Sequence, residues 1–134
     1  MQITRAADYA LRGMTYLARQ KPEKLTLIKE ISNNEGIPEQ FMRKLVHILH
    51  KKGFIKSTRG RQGGIRLDID PEKVTMFDII EAIDGPLALN LCLEDPDLCD
   101  RFNLCQMRDI WSEAQASVNK VLKQYTLNDI VSKK

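Results

Sequence analysis

The sequence predicts a mainly α protein with a single small β-hairpin, and three observations carry that reading. Apolar residues recur at three- and four-residue steps through most of the chain, the mark of amphipathic helices. One stretch, Phe54 to Ile69, instead alternates like paired strands about the glycine-rich turn Gly60–Gly64. From Leu104 onward an apolar seam (Leu104, Met107, Trp111, Ala114, Val118, Val121, Tyr125) runs for three heptads, the pattern of a long helix that pairs with another. Two helices at a sharp turn followed by a basic hairpin make a winged helix-turn-helix, with a long C-terminal dimerisation helix attached.

At 134 residues and 43% hydrophobic, the chain suffices for one ordinary core. Its charge is unevenly spread. Residues 1–70 hold 14 Lys/Arg against 7 Asp/Glu, whereas residues 71–134 hold 7 against 11, which divides a nucleic-acid half from a second half of different use. The expected divisions are 1–84 for the winged helix-turn-helix, 85–105 for a cysteine-bearing loop, and 104–134 for the long helix and a closing turn. No apolar run approaches the roughly 18 residues of a membrane span. The N-terminus lacks the charged-then-apolar order of a signal peptide. Cytoplasm is therefore the expected location.

Taken in order, residues 4–20 form an amphipathic helix capped by Thr4. A second helix starts near Thr26, is expected to bury Leu27, Ile28 and Ile31, and stops at Gly36, which supplies a left-handed turn. Pro38 opens a third helix, about 38–52, expected to face Phe41, Leu45, Ile48 and Leu49 inward. Gln40, Arg43, Lys44, His47, His50 and Lys51 are left outside. Strands follow at 54–58 and 65–69. Thr75 caps a short helix over 76–83, residues 86–103 show no period, and Thr126 caps a last turn over 127–131.

Gln40 to Leu67 contains eight Lys or Arg, two His and no Asp or Glu. A basic helix by itself is ordinarily a solvated face; the absence of acids across both helix and hairpin favours a polyanion surface. The second helix of a helix-turn-helix offers its N-terminal half to base edges in the major groove. That places Gln40, Arg43 and Lys44 on the bases, with His47 next and Lys51 beyond. Arg43 suits guanine and Gln40 suits adenine. Arg59 and Arg61 at the hairpin tip suit phosphates or a narrow minor groove. The two histidines are expected to meet phosphate or solvent.

Cys92, Cys99 and Cys105 lie within 14 residues, at gaps of six and five, among Glu94, Asp95, Asp97 and Asp100. This is neither zinc-ribbon nor thioredoxin spacing. Read from spacing, the segment is either a thiolate site for iron–sulfur or zinc or three free thiols. No nucleophile–base pair or convergent carboxylate pair is evident, and the glycine turn lacks the Lys-Ser/Thr continuation of a P-loop, so an enzyme is not expected. A protein-binding adaptor without a DNA role is the rival from another class.

Ala7-Asp8-Tyr9-Ala10-Leu11-Arg12, the Arg59-Gly60-x-x-Gly63-Gly64 hairpin, the three-cysteine loop and Tyr125-Thr126-Leu127-Asn128-Asp129-Ile130 together resemble the Rrf-two family of bacterial winged-helix regulators, over essentially the whole chain. The resemblance implies a homodimer joined through the long helix on a pseudo-palindromic DNA operator. It implies an iron–sulfur cluster on Cys92, Cys99 and Cys105 whose state alters DNA affinity. IscR-like members place a His three residues after the last cysteine, where this chain has Arg108, and the first cysteine gap here is one residue longer than theirs. NsrR-like members use an Asp of the partner subunit's first helix, and Asp8 holds the matching position. The implied cofactor is a 4Fe–4S cluster with Asp8 as fourth ligand, with 2Fe–2S as the alternative. Asp8 also reads as a first-turn acid favoured by the helix dipole, or as a partner for Arg5 or Arg12.

Overall fold

Thr4 caps the first helix as the sequence predicts: the Ala7 N–H donates to its Oγ1 at 3.1 Å, and α1 spans Arg5–Ala18. This is a computed structural model that describes residues 2–133; Met1 and Lys134, outer limits of the expected divisions, lie outside the described residues. α2 spans Ile28–Glu35 and α3 spans Glu39–Lys51. Between them Gly36 adopts φ 64°, a left-handed conformation that costs a residue without Cβ nothing. Pro38 stands immediately before α3 as its N-cap.

Two assignments along this stretch differ from expectation. Thr26 does not begin a helix. Its N–H donates to the Ile65 carbonyl at 2.8 Å and its carbonyl accepts from the Ile65 N–H at 2.8 Å, so it adds a bridge to the hairpin. Leu27 is consequently exposed rather than buried. On α3 the inward residues are Met42, Leu45, Val46 and Leu49, one step round from the expected set. Phe41 is 36% exposed and meets the Tyr9 ring edge-on, centroids 5.4 Å apart. Aromatic bulk favoured Phe41 in the sequence, but the flexible Met42 fits the space beside Gly13.

β1 (Ile55–Thr58) and β2 (Gly64–Leu67) pair antiparallel, with Ile55 opposite Leu67 and Thr58 opposite Gly64. The close approach of three backbones at this point explains the glycine pair. A Cβ on Gly63 would stand 2.2 Å from the Thr58 carbonyl oxygen, and one on Gly64 2.8 Å from that of Thr26.

α4 (Met76–Asp84) begins with a capping box between Thr75 and Asp78. The aperiodic region contains local order: α5 (Leu91–Glu94) and two 3-10 turns, Pro96–Leu98 and Phe102–Leu104. The long helix α6 covers Arg108–Gln124, so Leu104 and Met107 of the expected seam precede it. α7 (Leu127–Ser132) carries a second capping box, Thr126 with Asp129. Thr126 and Thr75 bridge antiparallel, and fully buried Leu127 returns the chain end to the core. That core joins Ala10, Met14, Ile31, Met42, Leu49 and Ile79.

Gly63→Ala is expected to cost about 2 kcal/mol, because rigid backbone must move. Gly13→Ala is expected to cost less than about 1 kcal/mol, since its added methyl meets only the Met42 terminus. Urea unfolding of both variants measures the contrast. Asp129 accepts from the Thr126 N–H at 2.8 Å and its hydroxyl at 2.9 Å, and these bonds hold its carboxyl below the usual carboxylate range. A pKa lower in the folded state stabilises at neutral pH and ceases to do so as pH falls through that folded value. Thr126→Ala should therefore lower the melting temperature at neutral pH, and the gap from the parent protein should narrow on acidification.

Candidate nucleic-acid interface and thiol segment

Gln40, Arg43, Lys44, His47 and Lys51 are all exposed on α3, as are Arg59 and Arg61 at the hairpin tip. The inward residues Met42, Leu45, Val46 and Leu49 fix that face outward by anchoring α3 in the core. A cleft of about 460 Å³ separates the starts of α2 and α3 from the hairpin, with Leu27, Lys29, Arg43 and Arg59 on its walls. Glu39 lines it too, and accepts from Arg43 Nη2 at 2.6 Å. This acid lies one residue before the acid-free stretch and so escaped a reading built on that stretch. His50 differs from expectation: its Nδ1 lies 3.0 Å from the Ile55 carbonyl oxygen, which ties the end of α3 to β1. A ring nitrogen facing a carbonyl carries the proton.

Arg12 fastens this reader to α1. Its Nη1 donates to the Glu35 carbonyl at 2.7 Å, one residue before the Gly36 turn. Its guanidinium lies 4.8 Å from the centre of the Tyr9 ring, which in turn meets Phe41 on α3. Asp8 Oδ2 stands 3.3 Å from Arg12 Nε as an ion pair. Exposed Asp8 also borders a cavity of about 560 Å³ between α1, α6 and α7, where Leu11, Val121, Leu122 and Tyr125 form apolar wall. The sequence offers Arg5 or Arg12 as an ion-pair partner for Asp8, and the structure pairs it with Arg12. Its i,i+4 spacing from Asp8 was the available signal, whereas the Glu35 carbonyl is reached only through the fold.

The three cysteines are free and half-buried. Cys92 lies on α5, Cys99 follows the first 3-10 turn and Cys105 follows the second. Asp95 is occupied locally, accepting from the Asp97 N–H at 3.0 Å. The segment is held to α6 at two places. Buried Gln115 accepts from the Leu89 N–H at 2.6 Å. Arg108 donates to the Phe102 carbonyl at 3.3 Å and lies over that residue's ring at 4.7 Å. Among the described residues no three His, Cys, Asp or Glu side chains stand close enough to hold a metal ion. Cys92, Cys99, Cys105 and Asp8 therefore do not form a preassembled ligand set within one chain. Gln115 was missed because a buried Gln on a charged helix has no signature until its partner is placed.

On α6, Ala114, Val118 and Leu122 are half-buried, while Ile110 (63%) and Val121 (51%) remain substantially exposed. Among the described residues no helix is long and apolar enough to cross a membrane.

A basic recognition helix and a basic hairpin on one helical core define a winged helix-turn-helix transcriptional regulator. Residues 3–133 match the Rrf2 family model, described as an iron-dependent transcriptional regulator. The chain belongs to the Rrf2 family. It is similar to the HTH-type transcriptional regulator NsrR of Bacillus subtilis, at 31% identity covering 100% of this chain and 92% of that one. Similarity to NsrR of Shouchella clausii reaches 34% identity over 98% and 89%. Among solved structures, CymR, the global cysteine regulator of B. subtilis, superposes with TM-score 0.82 at 31% identity, covering 98% and 97%. IscR of T. potens gives 0.76 at 26%, covering 98% and 86%. These relatives are transcriptional regulators, not enzymes, and this chain is a DNA-binding regulator of their kind.

Arg12→Ala strips the Glu35 carbonyl of its donor and should cost about 1–3 kcal/mol. Asp8→Ala removes only an exposed ion pair and should cost no more than about 1 kcal/mol. Denaturant titration of the two variants separates the roles.

Proposed function

We propose that the protein is a homodimeric regulator whose grip on a pseudo-palindromic operator is set by an iron–sulfur cluster on Cys92, Cys99 and Cys105. Asp8 of the partner subunit would be the fourth ligand. The division of labour follows the chain: residues 1–84 read duplex, 85–105 sense, and 104–134 dimerise. A 4Fe–4S centre is favoured, and 2Fe–2S is the alternative form. The donor chemistry fits, since three soft thiolates with one carboxylate suit iron. They are carried on single turns rather than on a rigid helix, so the segment is able to draw together on ligation. Bound there, the cluster supplies a centre sensitive to redox state, nitric oxide and iron supply.

The observation that carries this reading is the attachment of Asp8. Its present partner, Arg12, holds the carbonyl immediately before the helix-turn-helix turn. Any competing partner for Asp8 therefore acts on the residue that anchors the reader. The angle between α2 and α3, and so the spacing of two recognition helices in a dimer, is exposed to that competition. A shift in this spacing matters because half-sites lie about one helical turn apart. The exposed apolar residues of α6, Ile110 and Val121 with Trp111, support the long helix as the seam between copies.

On the reader, Gln40, Arg43 and Lys44 contact bases, and His47 lies next to them on the same face. Lys51 takes phosphates, Arg59 and Arg61 take phosphates or the minor groove, and the protein would act on DNA in the cytoplasm. A second reading is a thiol or zinc sensor on the same reader. It draws on the three free, half-buried thiols and on the likeness to CymR, the global cysteine regulator of B. subtilis.

Anaerobically purified protein should be brown, contain iron, and bind duplex with an affinity that falls steeply as salt rises. Cys99→Ala should lose colour and switching together. Colourless, iron-free protein that still binds duplex and responds to thiol oxidation would establish the second reading. Binding to duplex indifferent to salt would point to an adaptor instead.

A further inference from the structure

We propose that Glu39 is a specificity-determining residue, a carboxylate that orients Arg43 for base reading and opposes seating on phosphate alone. The inference rests on the assignment of α3 as the DNA-reading helix. Glu39 is the first residue of α3, and it is the single acid among the described residues lining the cleft between α3 and the hairpin, whose other charges are Lys29, Arg43 and Arg59. A carboxylate in a cleft built for a polyanion repels phosphate oxygens, so it weakens every duplex complex in which it finds no partner.

Two observations give it a use that offsets this repulsion. Its Oε1 accepts from Arg43 Nη2 at 2.6 Å across one helical turn. The pair is half exposed, with Arg43 at 59% and Glu39 at 39% of their side-chain surface. Exposed pairs of this kind contribute little to folding, so fold stability gives no reason for it. What it does is hold a long, flexible guanidinium in one direction, with the remaining N–H groups directed away from the carboxylate. A preoriented guanidinium engages the guanine O6/N7 pair at lower entropic cost than a free one, and loses more when no guanine is present. The second carboxylate oxygen, Oε2, is free to accept from a cytosine N4 amine, the one major-groove donor of a C·G pair that carboxylates read. Glu39 and Arg43 therefore form a reading unit for a G/C-containing step, selecting by repulsion as much as by attraction.

The test is parallel selection from a random-sequence duplex library with parent protein, Glu39→Gln and Arg43→Ala, each followed by affinity measurement on poly(dA-dT), which offers neither guanine O6/N7 nor cytosine N4, across a salt series. Circular dichroism checks that each variant keeps its helices. The parent should select a half-site with a G/C position that both variants relax. Glu39→Gln should bind poly(dA-dT) more tightly than the parent, and its preference at that position should drop roughly tenfold. If Glu39→Gln selects the parent's half-site with undiminished preference, the proposal is overturned while the assignment of α3 stands. If Arg43→Ala also leaves both selection and affinity unchanged, α3 is not the reader and both fall.

Discussion

One helix has to serve every neighbour at once. α1 packs against α2, α3, α4, α7 and β2, and Ala7, Ala10 and Met14 on its inner face are fully buried. The small residues Ala7, Ala10 and Gly13 let those partners approach closely. The bare Gly13 leaves the space that the Met42 terminus of α3 fills. The orientation of α3 is thus set by α1, and whatever moves α1 moves the reader.

That constraint gives Arg12 its importance. The guanidinium does with one side chain what three separate contacts would otherwise do: it satisfies the Glu35 carbonyl, meets Asp8 and covers Tyr9. Guanidinium geometry makes this possible, since its donors diverge in a rigid plane while its face remains available to a ring. The C-terminal turn closes the same unit from the other side. Leu127 is in the core, and its N–H donates to the Val74 carbonyl at 2.8 Å. The end of the long helix is therefore coupled to the start of α4 rather than hanging free. A signal arriving at α6 has a packed route to α1.

The thiol segment presents the opposite physics. It is short turns, two of them capped by Asn90 and Asp95, with Gln115 and Arg108 as fasteners to α6. Local capping gives shape without much buried apolar surface, and such segments rearrange at little cost. Arg108 braces Phe102 between Cys99 and Cys105.

Much of this was legible in the chain. Thr4, Thr75 and Thr126 marked three helix starts, and Gly36 marked the helix-turn-helix turn, because caps and left-handed turns depend on chemistry within a few residues. The exposed basic face of α3 and the hairpin followed from periodicity and charge. What sequence could not decide were the properties that depend on distant partners. Whether Phe41 or Met42 points inward depends on the shape left by Gly13. Whether Thr26 starts a helix or pairs with Ile65 depends on a strand about forty residues away. That Arg12 reaches the Glu35 carbonyl, and Gln115 the Leu89 amide, is set only once helices separated in the chain are packed. Local rules set the threonine-capped helix starts and the charged face; only the packed core decided where the other elements begin and which side chains meet.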